Sequence, residues 1–176
     1  MIFEKTKIDG VLKIIPEMHE DERGIFRRHF CIEEFRKNKI DHNVMQANVS
    51  ENNYKHTLRG FHYQTGDHAE GKTLSCLKGK IFDIVVDLRK KSKTFKHWIS
   101  FELSDANRCS IHIPRGCANA FLTLQDECII HYYCSNNYNS SSEKGIRYND
   151  PSFNFKWPNE PKIISNKDLN HQDFVS

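Results

Sequence analysis

The sequence predicts an all-β barrel or jelly roll. Three observations carry that expectation. Many short segments are apolar or alternate apolar with polar residues, Gly, Asn and Asp turns punctuate them at regular spacing, and helical spacing is confined to short stretches. No strand–helix–strand rhythm and no internal repeat compete with this reading. At 176 residues the chain is long enough for one domain with a real core, taken as residues 1–176.

Each element has a local reason. Residues 1–15 read as a strand pair about an Asp9-Gly10 turn. Residues 20–24 read as a loop and 25–30 as a strand. Ile32 and Phe35 stand three apart among good helix formers, which predicts one short helix over 32–38. In 44–50, alternation places Gln46, Asn48 and Ser50 on one face of a half-buried strand. Residues 51–56 read as a polar loop, 57–63 as a strand, 65–71 as a loop, and 72–77 as a strand ending at a Lys78-Gly79 turn. Residues 81–88 are strongly apolar apart from Asp83 and Asp87. Strands over 98–103 and 108–113 follow, then a turn at Pro114-Arg115-Gly116. Residues 118–124 and 127–134 read as a hairpin about Gln125-Asp126. The remainder is irregular and proline-rich, with a short helical turn at 166–169.

Bulk properties exclude several functions. A formal net charge of +3, dispersed along the chain, argues against nucleic acid. No apolar run approaches the roughly 20 residues that span a bilayer. Glu4 interrupts any apolar core of a signal peptide, so a cytoplasmic location is the default expectation. The six cysteines lack Cys-x-x-Cys pairing and read as buried reduced thiols.

The chemistry centres on Leu58-Arg59-Gly60-Phe61-His62-Tyr63-Gln64, a strand carrying charge and imidazole between apolar neighbours. A lone strand histidine is more often structural than catalytic. Here Arg59 lies close by, and alternation sets Gly60, His62 and Gln64 on one side, where the glycine leaves room for a ligand. Imidazole also has the right basicity to take a proton near neutral pH. Asp168 is either a solvent-facing turn residue or the carboxylate that orients this base. Lys72 is either a surface lysine or a fixed charge beside a developing oxyanion. Tyr132 and Tyr133 point to opposite faces of one strand. One faces the interior, as core or as proton donor, and composition does not choose. A metal is not expected. The position after Tyr63 holds Gln64 rather than a second histidine, the Pro114 turn leads to Asn119, and an amide is a poor ligand for first-row metals.

Motifs along nearly the whole chain resemble the dTDP-4-dehydrorhamnose 3,5-epimerases. They are Arg23-Gly24-x-Phe26, Gln46-x-Asn48-x-Ser50, Leu58-Arg59-Gly60-x-His62-Tyr63-Gln64, Lys72, Phe82-Asp83 through Val86-Asp87-Leu88-Arg89, Ser92-x-Thr94-Phe95, Ile113-Pro114-x-Gly116-x-Ala118, Tyr138, Asn149-Asp150-Pro151, Trp157-Pro158 and Ser165-x-Lys167-Asp168. The resemblance implies a cupin jelly roll, a homodimer with the N-terminal strands contributing, and no metal or organic cofactor. It implies His62 as base with Asp168, Lys72 at the enolate oxygen, and Tyr132 as the acid on the opposite face. Arg59, Gln46 and Asn48 would hold the diphosphate and sugar, Tyr138 would lie by the nucleotide, and Arg23 and Phe26 would reach the partner's site. The substrate class implied is a nucleotide-linked 4-keto sugar.

Two departures stand out. Asn119 replaces the family's usual histidine; it can donate to the sugar but cannot titrate. Arg28 replaces a usual glutamate that could accept from thymine N3–H, whereas arginine suits the acceptor edge of guanine. These favour a GDP-linked 4-keto-heptose for capsule polysaccharide, with the dTDP-linked rhamnose precursor as the alternative. A non-catalytic sugar-nucleotide-binding protein, a 3,4-ketoisomerase and a metal-dependent oxygenase are further readings.

Overall fold

The alternating segments fold into two facing antiparallel sheets. The computed structural model describes residues 1–40 and 43–175. In the first sheet the order is β1 (Ile2–Lys5), β2 (Leu12–Ile15), β10 (Ser110–Ile113), β7 (Lys72–Lys78), β12 (Cys128–Cys134) and β5 (Gln46–Asn52). In the second it is β13 (Glu143–Gly145), β6 (Thr57–Gln64), β11 (Cys117–Thr123), β8 (Lys80–Asp87) and β9 (Trp98–Ser104). The short β14 (Ile163–Ile164) runs parallel to the start of β6. Two short helices, α1 (Ile32–Lys37) and α2 (Asn166–Leu169), complete the regular structure of the described residues, with one 3-10 turn at Gly66–His68. No helix among them is long and apolar enough to cross a membrane.

Three elements differ from the sequence reading. Residues 118–124 and 127–134 form no hairpin: β11 pairs with β6 and β8, whereas β12 pairs with β5 and β7. Each strand buries its inward side chains against the opposite sheet, so the short link between them crosses the barrel. Residues 20–24 are no simple loop, because β3 (Met18–Asp21) and β4 (Gly24–Arg27) make a separate hairpin. The strand β5 also runs through residues 51 and 52, read as loop, while β1 and β2 extend the first sheet of their own chain.

The interior divides along the barrel axis. Leu74, Cys76, Ile81, Val85, Leu103, Ile111, Phe121 and Ile130 fill one end with apolar packing. Outside the second sheet, a further core joins Phe61, Ile84, Val86, Ala118 and Ala120 to the C-terminal segment. There Phe61 stacks on Phe155 at 4.3 Å, and Phe155 on Phe153 at 5.0 Å. These aromatic pairs fasten the irregular, proline-rich tail to the barrel wall. On the outside of the first sheet, α1 buries Phe35 against Leu12, Ile14 and Ile40. The six cysteines are free thiols, five of them buried and Cys31 half-buried, which agrees with their apolar strand context.

A bulge in β6 sets the site. Asn119 pairs with His62 and Ala120 with Gly60, leaving Phe61 as an extra residue between them. Alternation therefore fails here, and Gly60 does not share the side of His62 and Gln64. Gly60 leaves room not for a ligand but for β11. Its φ is +110°, and a Cβ on it would stand 2.6 Å from the Asn119 carbonyl oxygen. Gly60→Ala is expected to destabilise the fold by roughly 2–4 kcal/mol through backbone strain and overpacking. Urea unfolding followed by circular dichroism measures the loss.

Candidate active site

The polar residues gather at the end of the barrel that lacks apolar filling. A cleft of about 350 Å³ opens there, lined by Arg59 and His62 from β6, Lys72 and Leu74 from β7, Asn119 and Phe121 from β11, and Tyr132 from β12, with Val49, Ser50 and Glu51 at its edge. This is the size of a small-ligand pocket. A second cleft of about 200 Å³ shares His62, Lys72 and Tyr132 and extends to Gln46, Asn48, Tyr138 and Glu143. The bulge brings Arg59 and His62, three residues apart, to the same cleft.

His62 is tied to the tail of the chain. Its Nε2 lies 2.7 Å from Asp168 Oδ1, and the other carboxylate oxygen accepts the Gly60 N–H at 3.1 Å. Asp168 is buried rather than solvent-facing, and it is positioned by Ser165, whose hydroxyl caps α2 by accepting the Asp168 N–H. Burial alone pushes this carboxyl up. The bonds from His62 and Gly60, with the charge of a nearby imidazole, hold it below the usual carboxylate range. It is thus an acceptor that fixes the tautomer: with Nε2–H donating to Asp168, the free lone pair of His62 sits on Nδ1.

Lys72 faces the cleft instead of the surface. Its ammonium lies 3.5 Å from Asn119 Oδ1, 3.9 Å from Glu70 Oε1 and 5.6 Å above the centre of the Tyr132 ring. Tyr132, not Tyr133, faces inward; Tyr133 packs outside against His131 and Phe30. Burial, then the neighbouring Cys134 and Glu70, push the Tyr132 phenol up against the opposing pull of Arg59, so it holds its proton at neutral pH. Imidazole and phenol come from opposite sheets and open on one cleft, with an ammonium between the walls. That arrangement can remove a proton from one face of a ligand and return one to the other.

The remaining sequence candidates divide. Arg59 Nε donates to Asn52 Oδ1 at 2.7 Å. Gln46 accepts the Tyr138 backbone N–H, Asn48 sits beside Cys134, and the Tyr138 hydroxyl donates to Glu143 at 2.8 Å. Gln64 is buried and tied to surrounding loops through His68, Asn137 and Asn139. Asn119 does not point its NH₂ toward a ligand as expected: Nδ2 donates to Asp83 at 2.9 Å, which turns its oxygen toward Lys72. Arg28 lies outside both clefts and pairs with Glu34 at 3.1 Å. Arg23, paired with Asp21, and Phe26, 71% exposed, stand on the β3–β4 hairpin away from these clefts.

Sequence reading missed Asp83, Glu143 and Glu70. A signal for Asp83 was present, since a carboxylate in register with Ile81 and Val85 must point into the core. Glu143 and Glu70 lie in polar stretches where nothing distinguishes them from solvated residues.

The family can now be tested directly. The model of the family described as dTDP-4-dehydrorhamnose 3,5-epimerase matches residues 5–176. The chain belongs to this family. A dTDP-4-dehydrorhamnose 3,5-epimerase of Methanothermobacter thermautotrophicus is 41% identical over 171 residues, covering 96% of this chain and 91% of that one. The crystal structure of dTDP-4-dehydrorhamnose 3,5-epimerase from Elizabethkingia anophelis superposes with a TM-score of 0.94 at 36% identity, over 99% of this chain and 96% of that one. The dTDP-6-deoxy-D-glucose-3,5-epimerase of Legionella pneumophila, solved in complex with dTDP-4-keto-L-rhamnose, gives 0.90 at 35% identity over 95% and 89%. The fold is therefore the cupin jelly roll, and the protein is an isomerase of the nucleotide-sugar epimerase class.

Asp83 has a measurable signature. Burial pushes its carboxyl up to about 8 from 3.8, opposed by Asn119 and Lys72, and among the described residues Oδ1 has no hydrogen-bond partner. Unfolded, the group ionises near pH 4; folded, it keeps its proton to about 8. Across that window the native state binds more protons, so this residue makes stability fall as pH rises. Asp83→Asn is expected to flatten that fall, gaining stability over the parent most at pH 8 and above, with the difference closing toward pH 4. Urea midpoints measured across this range provide the check.

Proposed function

We propose that this protein epimerises a dTDP-linked 4-keto-6-deoxy sugar at C3 and C5. The observation that carries the reading is the pairing of His62 and Tyr132 on opposite walls of one cleft with Lys72 between them. The C4 ketone acidifies the protons on C3 and C5. Nδ1 of His62 removes one, and Asp168 holds the imidazolium that forms. Charge develops on O4, where the Lys72 ammonium stabilises it. Tyr132, kept protonated by its burial, delivers a proton to the other face, and the carbon is inverted.

Arg59, Gln46 and Asn48 hold the diphosphate and sugar, and Tyr138 lies against the nucleotide at the mouth of the second cleft. Asn119 acts through Lys72, whose position it fixes, with Asp83 behind it. The active unit is a homodimer of the whole chain. Its support is the β3–β4 hairpin, where Phe26 and Ile25 are exposed beside Arg23, so the hairpin is placed to enter a partner's site.

The GDP-linked heptose favoured from the sequence rested on Arg28. Arg28 lies outside both clefts and pairs with Glu34 of its own chain, which supports the dTDP-linked sugar instead. The ligand named for the Legionella relative favours the dTDP-linked substrate. Titration calorimetry is expected to show dTDP binding more tightly than GDP, and the reverse order would restore the heptose reading.

In heavy water, dTDP-4-keto-6-deoxyglucose is expected to take up deuterium at C3 and C5, followed by NMR. His62→Ala should abolish uptake, and Lys72→Met should slow it by about 10²–10³-fold. Tight nucleotide binding without any exchange would leave only a sugar-nucleotide-binding protein.

A further inference from the structure

His171 lies behind the base and has no part in the steps above. Its Nε2 is buried, has no hydrogen-bond partner among the described residues, and stands 3.8 Å from Asp168 Oδ1. The ring meets that of His62 edge-on at 6.5 Å between centroids. It reaches this position because Gly145, the register partner of His62 on β13, has no side chain. A Cβ on Gly145 would collide with the His171 imidazole. The chain therefore brings a second imidazole to the far side of Asp168.

We propose that His62, Asp168 and His171 form a site for a borderline divalent cation of the Zn²⁺ type, and that its occupation inhibits the enzyme. One ligand atom from each of the three lies within 4.8 Å of the others. Tetrahedral zinc with bonds of about 2.0–2.1 Å sets its ligand atoms about 3.3 Å apart. The separations of 2.7 Å, His62 to Asp168, and 3.8 Å, His171 to Asp168, straddle that value and each changes by about 0.5 Å, while the two imidazoles, whose ligand atoms lie within 4.8 Å of each other, close by up to about 1.5 Å. Two imidazoles and one carboxylate select zinc, cobalt or nickel over magnesium or calcium. The Gly60 N–H on the second carboxylate oxygen supplies the outer support that metal ligands need. The remaining coordination position is taken by water.

Inhibition follows from the tautomer. The metal binds the Nε2 lone pair of His62, so the ring proton moves from Nε2 to Nδ1. No net proton is gained or lost on the ring, but the Nδ1 lone pair that abstracts the substrate proton is gone. The same coordination withdraws Asp168 as hydrogen-bond acceptor. The cation is thus an antagonist of the reaction, not a cofactor.

The binding arm of the test stands apart from the epimerase reading; the inhibition arm rests on it. Calorimetry of the full-length protein with zinc chloride is expected to show one saturable site, with magnesium chloride giving none. Removing a ligand in His171→Gln should weaken zinc by at least about 10–100-fold, while His171→Cys, which keeps a zinc donor, should retain binding. Nitrogen-15 NMR should report His62 passing from the Nε2–H to the Nδ1–H form as zinc is added. Zinc should stop deuterium exchange, EDTA should restore it, and His171→Gln should exchange normally in EDTA and resist zinc. Equal zinc affinity in the parent and His171→Gln, or zinc binding with an unchanged His62 tautomer, overturns the site. No exchange under any condition, with the calorimetric result intact, would count against the epimerase reading alone.

Discussion

One carboxylate holds the two halves of this site together. Asp168 accepts from the backbone of Gly60 with one oxygen and from the imidazole of His62 with the other. The first contact satisfies a strand donor where β13 and β14, which flank β6 on either side of the bulge, leave a gap. The second fixes which nitrogen of the imidazole is free. A structural obligation of the sheet and a chemical requirement of the site are thus met by the same group. This explains why a buried acid is tolerated there: each oxygen has a donor, and the charge is used.

Asp83 shows the opposite regime a short distance away. It is fully buried, but among the described residues only one oxygen has a partner, and the protein answers by keeping the proton on it. Neutral Asp83 holds Asn119 without adding a second negative charge beneath Lys72. The ammonium of Lys72 keeps its field for the cleft. Two aspartates of one barrel are therefore driven in opposite directions by the number of donors each receives.

The barrel was legible in the short apolar or alternating runs between turns, and α1 in its helix-forming residues, although of Ile32 and Phe35 only Phe35 is buried. What periodicity could not report was pairing. The strands β11 and β12 are joined by a short polar link and look like a hairpin, yet each has its partners in a different sheet. The bulge at Phe61 was equally silent, although a glycine inside an apolar strand is its usual sign. His62 was recognisable because an imidazole between apolar neighbours stands out on a strand, whereas Lys72 and Tyr132 were singled out through resemblance. Asp168 was recognisable through resemblance rather than pattern, since nothing local marks a turn aspartate as buried. Arg28 suggested a base reader by residue type alone, and its pairing with Glu34, which depends on the packing of α1, gave no sign in the sequence.

The stacking of Phe61, Phe155 and Phe153 has a bearing on how the protein is made. The carboxylate that arms the imidazole is translated 106 residues after it. Every strand of both sheets, β14 included, is translated before that codon. A nascent barrel with its tail still in the exit tunnel has walls, phenol and ammonium, but an untuned histidine. Only when the tail packs onto the aromatic wall does Asp168 reach the imidazole of His62.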